Sequence, residues 1–274
     1  MGIIFDGRKF AKKKEKLLSY KVTRLLGKGV KPKLVSILVG ENSGSKLYIS
    51  LKKKAAERVG IVFEVVKFEE SALVDQISSA VKQFSSDSSV YGIMVQLPLP
   101  EKFRDRDRDR VLNSIAYEKD VDGLRENSPF LPATVKAILS IIDEAKKLLN
   151  PPIRRAGLNY CVVGATGMVG LPLVKELKKL GNEVIGCNSK TSNLKYQTSK
   201  ADVLISATGV PNLIQGYMVK KGAIVIDVGS PKGDVDPSAA LRASFFTPVP
   251  GGVGPVTVVS LLENLVDVVN SVVI

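Results

Sequence analysis

The sequence predicts an α/β fold in two domains built on parallel sheet. Three observations carry this. Short β-branched runs alternate with longer charged stretches of helical period, the pattern of βαβ units. The runs are apolar without polar alternation, as expected of strands covered on both faces. A break at Asn150-Pro-Pro-Ile-Arg-Arg-Ala-Gly157 separates three runs from four.

In chain order, the runs before the break are Leu34–Val39, Val62–Val66 and Tyr91–Leu97. Those after it are Tyr160–Val163, Glu183–Gly186, Asp202–Ala207 and Ala223–Val228. The helical stretches are Phe10–Leu26, Lys46–Val59, Ala72–Phe84, Val135–Leu149 and Met168–Leu180. Arg104-Asp-Arg-Asp-Arg-Asp-Arg110 alternates charge strictly and reads as a solvated helix or loop. Thr247-Pro-Val-Pro-Gly-Gly-Val-Gly-Pro-Val-Thr257 is too rich in proline and glycine for helix or central strand. Val258–Val268 then reads as a terminal helix. A rigid loop ending at a helix N-terminus suits a flat or anionic ligand; a tight turn before a last helix is the plainer account.

Composition narrows the function classes. The chain has 274 residues, 45% apolar, enough for a sizeable core. No unbroken apolar run reaches the roughly 18 residues of a bilayer span, and the N-terminus lacks the basic-then-apolar order of a secretory signal. With no histidine, a His-based zinc site or a Ser-His-Asp triad is excluded. Cys161 and Cys187 have neither CxxC spacing nor metal-site company, so no metal is expected. The formal charge of +13 is spread along the chain and aromatics are few, which argues against stacking on single-stranded nucleic acid. A cytoplasmic protein without membrane contact is expected.

Cys161-Val-Val-Gly164-Ala165-Thr166-Gly167-Met-Val-Gly170 reads as strand, glycine turn and helix start. Glycines tighten such a turn, and the helix N-terminus offers amides and a positive dipole end to phosphate; a purely structural glycine turn also fits. The next strand ends in Cys187-Asn-Ser189-Lys190-Thr191. An acid usually holds the ribose 2′-hydroxyl of NAD at this place. Two hydroxyls and a cation stand there instead, which suits the 2′-phosphate of NADP, although a plain polar loop would read the same. Ser206-Ala-Thr208-Gly209 and Asp227-Val-Gly229-Ser230 are further strand ends where ligands sit in open α/β sheets.

In the first half, Tyr48 and Lys52 lie four residues apart and share a helix face. A tyrosine can stack on a flat heterocycle, and a partly desolvated lysine can move protons near neutral pH. Lys52-Lys53-Lys54 leaves the choice of lysine open; the four-residue spacing favours Lys52, and an exposed amphipathic helix is the competing account. Tyr91-Gly-Ile-Met-Val-Gln96-Leu-Pro-Leu-Pro100 ends a strand on a glutamine, and Lys119-Asp-Val-Asp122-Gly123 is a compact acidic turn.

Together the Tyr48–Lys52 pair, the Gln96 strand end, the Asp122 turn and the proline-glycine string resemble, in chain order, those of the bifunctional methylenetetrahydrofolate dehydrogenase/cyclohydrolase family. The resemblance implies a folate-binding catalytic domain over residues 1–140, completed by a C-terminal helix, 257–274, that returns to it. It implies a Rossmann-type NADP-binding domain over 141–256. It implies that Tyr48 stacks on the folate, that Lys52 is central to the cyclohydrolase step with Gln96 assisting, and that Asp122 bonds the pterin. Pro250 and Gly251 would border the folate. Gly164, Ala165, Thr166, Ser189, Lys190 and Ser230 would contact NADP. The expected partners are a folate and a second copy of the chain. A shikimate-type NADP dehydrogenase and a catalytically inactive folate-binding protein are the alternatives. Departures from the family strings are Asn188 for a usual His, Thr166 for Ser, Leu131-Pro-Ala-Thr for Pro-Cys-Thr-Pro, Ser230 for Ile, and short segments after Asp122 and Ser230.

Overall fold

The computed structural model describes residues 2–149 and 157–273. The chain runs β1 (Ile3–Ile4), α1 (Gly7–Gly27), β2 (Lys33–Val39), α2 (Ser43–Val59), β3 (Val62–Phe68), α3 (Val74–Ser86), β4 (Gly92–Val95), α4 (Asp105–Leu112) and α5 (Ala133–Leu148). It continues β5 (Asn159–Val163), α6 (Gly170–Lys179), β6 (Glu183–Cys187), α7 (Leu194–Thr198), β7 (Val203–Ser206), β8 (Ile224–Asp227), β9 (Phe245–Phe246) and α8 (Val253–Val273). The break expected at 150–157 lies, except for Gly157, outside the described residues.

Two compact units result. One holds residues 12 to 133 and the chain from Val258 onward; the other holds the stretch up to Ala11 and residues 134 to 257. The three predicted strands of the first half form a parallel sheet of order β3-β2-β4 in the former. The four of the second half lie in a parallel six-stranded sheet of order β1-β9-β8-β7-β5-β6 in the latter. β1 departs from the expected domain of residues 1–140. Ile3 and Ile4 pair with Phe245 and Phe246, so the first strand extends the other unit's sheet.

The central strands are apolar and buried, so the cores follow from the runs. Val35, Ile37, Ile93 and Val95 pack with Ile77 and Val81 of α3 and Val111 of α4. Cys161, Val163, Leu204 and Val225 belong to the core of the other unit. The edge strand β6 is less covered than its composition suggested, with Glu183, Ile185 and Gly186 exposed. The Arg–Asp alternation is helix α4, with Arg108 paired to Asp105 and Asp109 at its surface.

Helix α8 corrects one expectation. It begins at Val253, inside the proline-glycine string. Pro255 falls in its first turn, where a missing N–H leaves no intrahelical bond unmade. The helix also has the length and composition of a membrane span, with an 18-residue window of mean hydropathy 1.3 inside Val253–Val272, although no unbroken apolar run foretold it; 67% of that window is buried within the protein. Two of its polar residues have internal partners. Glu263 pairs with Lys14 at 3.0 Å, and the Asn264 side-chain amide donates to the Val121 carbonyl at 2.9 Å. We read it as a core helix.

Candidate functional site

Helix α2 starts where the Asn42 side chain accepts the Ser45 amide and ends where Gly60 turns left-handed, at φ 87°. Between these caps, Tyr48 is half-buried one turn before Lys52. Of the three consecutive lysines only Lys52 is buried, at 7% exposure; Lys53 and Lys54 face solvent. Gln96 stands one residue past β4, its backbone amide donating to the Ile37 carbonyl. Its side-chain nitrogen donates to the Leu97 carbonyl at 2.7 Å. That orients the carboxamide so that Oε1 accepts from Lys52 Nζ at 3.0 Å.

Asp122, half-buried, follows a bridge between Asp120 and Ile93 of β4. Gly92 makes room for this turn, since a Cβ there would stand 2.7 Å from Val121 and 2.6 Å from Leu265 of α8. Gly123, at φ 70°, takes the chain back against Leu131 and Pro132. Asn264 spans the ends of this short segment, donating to the Val121 and Leu131 carbonyls. The sequence offered no sign of that role, because Asn264 lies in an apolar helix far along the chain.

Electrostatically the cluster is coupled. Burial pushes the Lys52 ammonium below the ordinary lysine value, and the Asp122 carboxylate pulls it part of the way back. Burial likewise raises Asp122, Lys52 opposes, and Asp120 adds to the rise. A lysine destabilised as a cation, hydrogen-bonded to a carboxamide and under the field of a carboxylate, can exchange protons closer to neutral pH. The structure thus brings Lys52, Gln96 and Asp122 together. Pro250 and Gly251 belong to the other unit, where Gly251 takes φ 105° before α8.

In that unit the glycine turn follows β5. Gly164 is left-handed, and a Cβ on it would stand 2.3 Å from the Ala207 carbonyl. The amides of Gly164 and Ala165 both donate to the Cys187 carbonyl at 2.9 Å. They tie the turn to the end of β6 and are engaged there, which narrows the expected phosphate donors. Thr166 is exposed ahead of the N-terminus of α6, its amide without an acceptor among the described residues. Ser189 and Lys190 are exposed just past β6. Their loop is shaped by the Asn188 amide on Thr191 Oγ1 and the Lys190 amide on Asn188 Oδ1. No acid stands in it. An exposed hydroxyl and ammonium, with a turn amide, are a donor set that fits NADP. Ser230 lies exposed past the end of β8.

Sequence reasoning missed a carboxylate network in this unit. Asp234 accepts from Ser206, Thr208 and Gly209. Asp227 accepts the amides of Gly229, Asp234 and Val235. Burial raises the Asp227 carboxyl, and its three backbone hydrogen bonds counter the rise. The only sign was an acid at each end of the short Asp227–Asp234 segment.

The family model for the tetrahydrofolate dehydrogenase/cyclohydrolase catalytic domain matches residues 5–122, and that for its NAD(P)-binding domain matches 132–273. The bifunctional protein FolD of Exiguobacterium sibiricum is 38% identical over 97% of this chain and 99% of its own. The FolD of Staphylococcus aureus is 37% identical over 95% and 94%. The crystal structure of the bifunctional dehydrogenase/cyclohydrolase of Campylobacter jejuni superposes at TM-score 0.90 with 35% identity, covering 99% of both chains. That of Trypanosoma brucei, complexed with NADP cofactor and inhibitor, does so at 0.89 and 30%, covering 99% and 98%. Shikimate dehydrogenase of Aquifex aeolicus, at 15% identity and TM-score 0.50, covering 85% and 90%, shares the fold alone. The chain belongs to the tetrahydrofolate dehydrogenase/cyclohydrolase family.

Proposed function

We propose that this protein oxidises 5,10-methylenetetrahydrofolate to the 5,10-methenyl form with NADP+ and hydrolyses the product to 10-formyltetrahydrofolate. The observation that carries the reading is the buried Lys52–Gln96 hydrogen bond beside Asp122, within a chain matched by both family domains. Bound NADP+ supplies hydride acceptance. Tyr48 offers its ring to the folate, and Asp122 anchors the pterin. In the hydrolysis, water adds to the methenyl carbon and gives up a proton. The hydroxyl of the adduct then loses its own proton to become the formyl carbonyl as the carbon–nitrogen bond to N5 breaks and N5 gains a proton, so one proton in all passes to solvent. Lys52 takes and returns these protons, and Gln96 holds its Nζ in place. Ser189, Lys190 and the Thr166 amide hold the phosphates of the cofactor, Ser230 borders its nicotinamide, and Pro250 and Gly251 border the folate.

The folate-binding domain would be residues 12–133 with the C-terminal helix, and the cofactor-binding domain 134–257 with the first strand. A homodimer is the assembly we favour; among the described residues β3 pairs with β2 alone, so its other edge is open to pairing. The cytoplasm suits Cys161 and Cys187, whose sulfurs stand 3.7 Å apart as free thiols. The decisive test is a spectrophotometric assay with methylenetetrahydrofolate and each nicotinamide cofactor, followed by methenyl hydrolysis. Absence of both activities would sink the reading.

NADP+ is expected to be preferred to NAD+. Ser189→Asp should lower kcat/KM for NADP+ sharply, because a charge-assisted contact of about 1.5–3 kcal/mol gives way to repulsion. Equal kcat/KM for the two cofactors in the unmutated enzyme would refute this. A pH dependence is expected as well. Asp122 holds the Lys52 pKa up, so Asp122→Asn lets it fall. With the amine form of Lys52 accepting the proton of water, the rising limb of the cyclohydrolase pH profile moves to lower pH. A limb that stays in place, or moves upward, breaks the coupling.

A further inference from the structure

We propose that Asp234 is a positioning residue for the nicotinamide half of the cofactor, a role that rests on the dehydrogenase reading above: its buried carboxylate fixes the Thr208–Gly209 turn on which that half lies. Asp234 is fully buried. Its Oδ2 accepts from Ser206 Oγ at 3.0 Å, Thr208 N at 2.6 Å, Thr208 Oγ1 at 2.9 Å and Gly209 N at 3.3 Å. The Thr208 hydroxyl in turn accepts the Val210 amide at 3.1 Å. Asp234 is itself held, its amide donating to Asp227 Oδ1 at 3.0 Å. The Asp227 amide donates to Thr247 Oγ1 at 2.7 Å. One chain of bonds therefore links the turn after β7 to the ends of β8 and β9.

The place of this turn in the sheet gives it a role. Neighbouring strands run in the order β6-β5-β7-β8. The candidate phosphate turn follows β5, and Ser189 and Lys190 follow β6. A dinucleotide lies across the carboxyl ends of such strands. With its adenosine half over β6, its nicotinamide half extends over β7 and β8, where Thr208 and Gly209 stand. Their amides and the Thr208 hydroxyl are all engaged by Asp234, so the turn serves as a shaped surface and not as a set of phosphate donors. Asp234 acts through it. An ionised acceptor strengthens each of these bonds, which a neutral amide in its place would not.

The test uses the full-length enzyme with Asp234→Asn, Asp234→Ala, Thr208→Val and Thr208→Ser. Dehydrogenase kcat/KM for NADP+ is measured beside folate KM and the rate of methenyl hydrolysis, which needs no cofactor. Misplacing a bound reactant by about an ångström costs on the order of 100-fold. We expect losses of about that size for Asp234→Ala and about tenfold for Asp234→Asn. Thr208→Val should lose activity with NADP+ and Thr208→Ser should retain it, while hydrolysis and folate KM stay near the unmutated values. Unchanged dehydrogenase kcat/KM in the Asp234 variants overturns the proposal. So does an equal fall in hydrolysis, which marks a general structural role. If either Asp234 variant fails to fold, equal activity of Thr208→Val and Thr208→Ser overturns it. An unmutated enzyme that hydrolyses the methenyl folate but uses no nicotinamide cofactor removes the dehydrogenase reading itself.

Discussion

Replacing Lys52 by Met is expected to reduce methenyl hydrolysis by about 10²–10⁴-fold, the usual contribution of general acid–base groups, while part of the dehydrogenase activity survives. Hydride transfer needs two bound ligands held in orientation, with no obligatory protein proton carrier. Water addition and ring opening need protons moved. Lys52 is the lysine placed for this, because it is buried and its Nζ is held 3.0 Å from Gln96 Oε1. Methionine has a similar length and tolerates burial, so the variant removes the proton carrier without opening a large cavity. Lys53→Met and Lys54→Met are the controls. Both side chains face solvent, and Lys53 pairs with the exposed Glu57 at 4.0 Å. Normal hydrolysis by Lys52→Met, or a dead Lys53→Met, would show that the wrong lysine has been chosen.

Asp122→Ala is expected to impair both reactions, because both use one folate pocket. Losing a hydrogen bond to a charged group costs about 1.5–3 kcal/mol, which corresponds to roughly tenfold to 150-fold in folate binding. The same change removes the charge that holds the Lys52 pKa up, so the rising limb of the hydrolysis pH profile moves to lower pH as well. Folate KM and kcat for both half-reactions decide the point. Unchanged values in both would remove Asp122 from the site.

The seven longer strands were legible because each is an apolar run long enough to stand out between charged helices. β1 and β9 were not, since two residues carry no period; they are defined by pairing, β1 with β9 and β9 in turn with β8. The same pairing moves the chain's beginning out of the domain to which sequence order assigned it. Helix α8 starts earlier than expected because a proline in a first helical turn reads, in sequence, like one in a loop. At the candidate site, spacing left three lysines open, and burial separates them. Asn264 and Asp234 could not have been found from local patterns. Their partners come from segments distant in sequence, as with Val121 and Asn264, and only the packed chain puts them in reach.

The way the two units share the chain bears on the order in which the protein can form as it leaves the ribosome. Each unit is discontinuous, one needing the chain from Val258 onward and the other the stretch before Lys12. β1 is made well before its partner, Phe245–Phe246, which emerges about 240 residues later, or some tens of seconds at ordinary elongation rates. The three-stranded unit waits longer still, because Leu265 and Asn264, which close over Gly92 and the Asp122 turn, come later in the chain than β9. A nascent chain stopped short of α8 therefore lacks the support of its own acidic turn, and a cut at the middle of the sequence releases two fragments of which neither holds a complete unit.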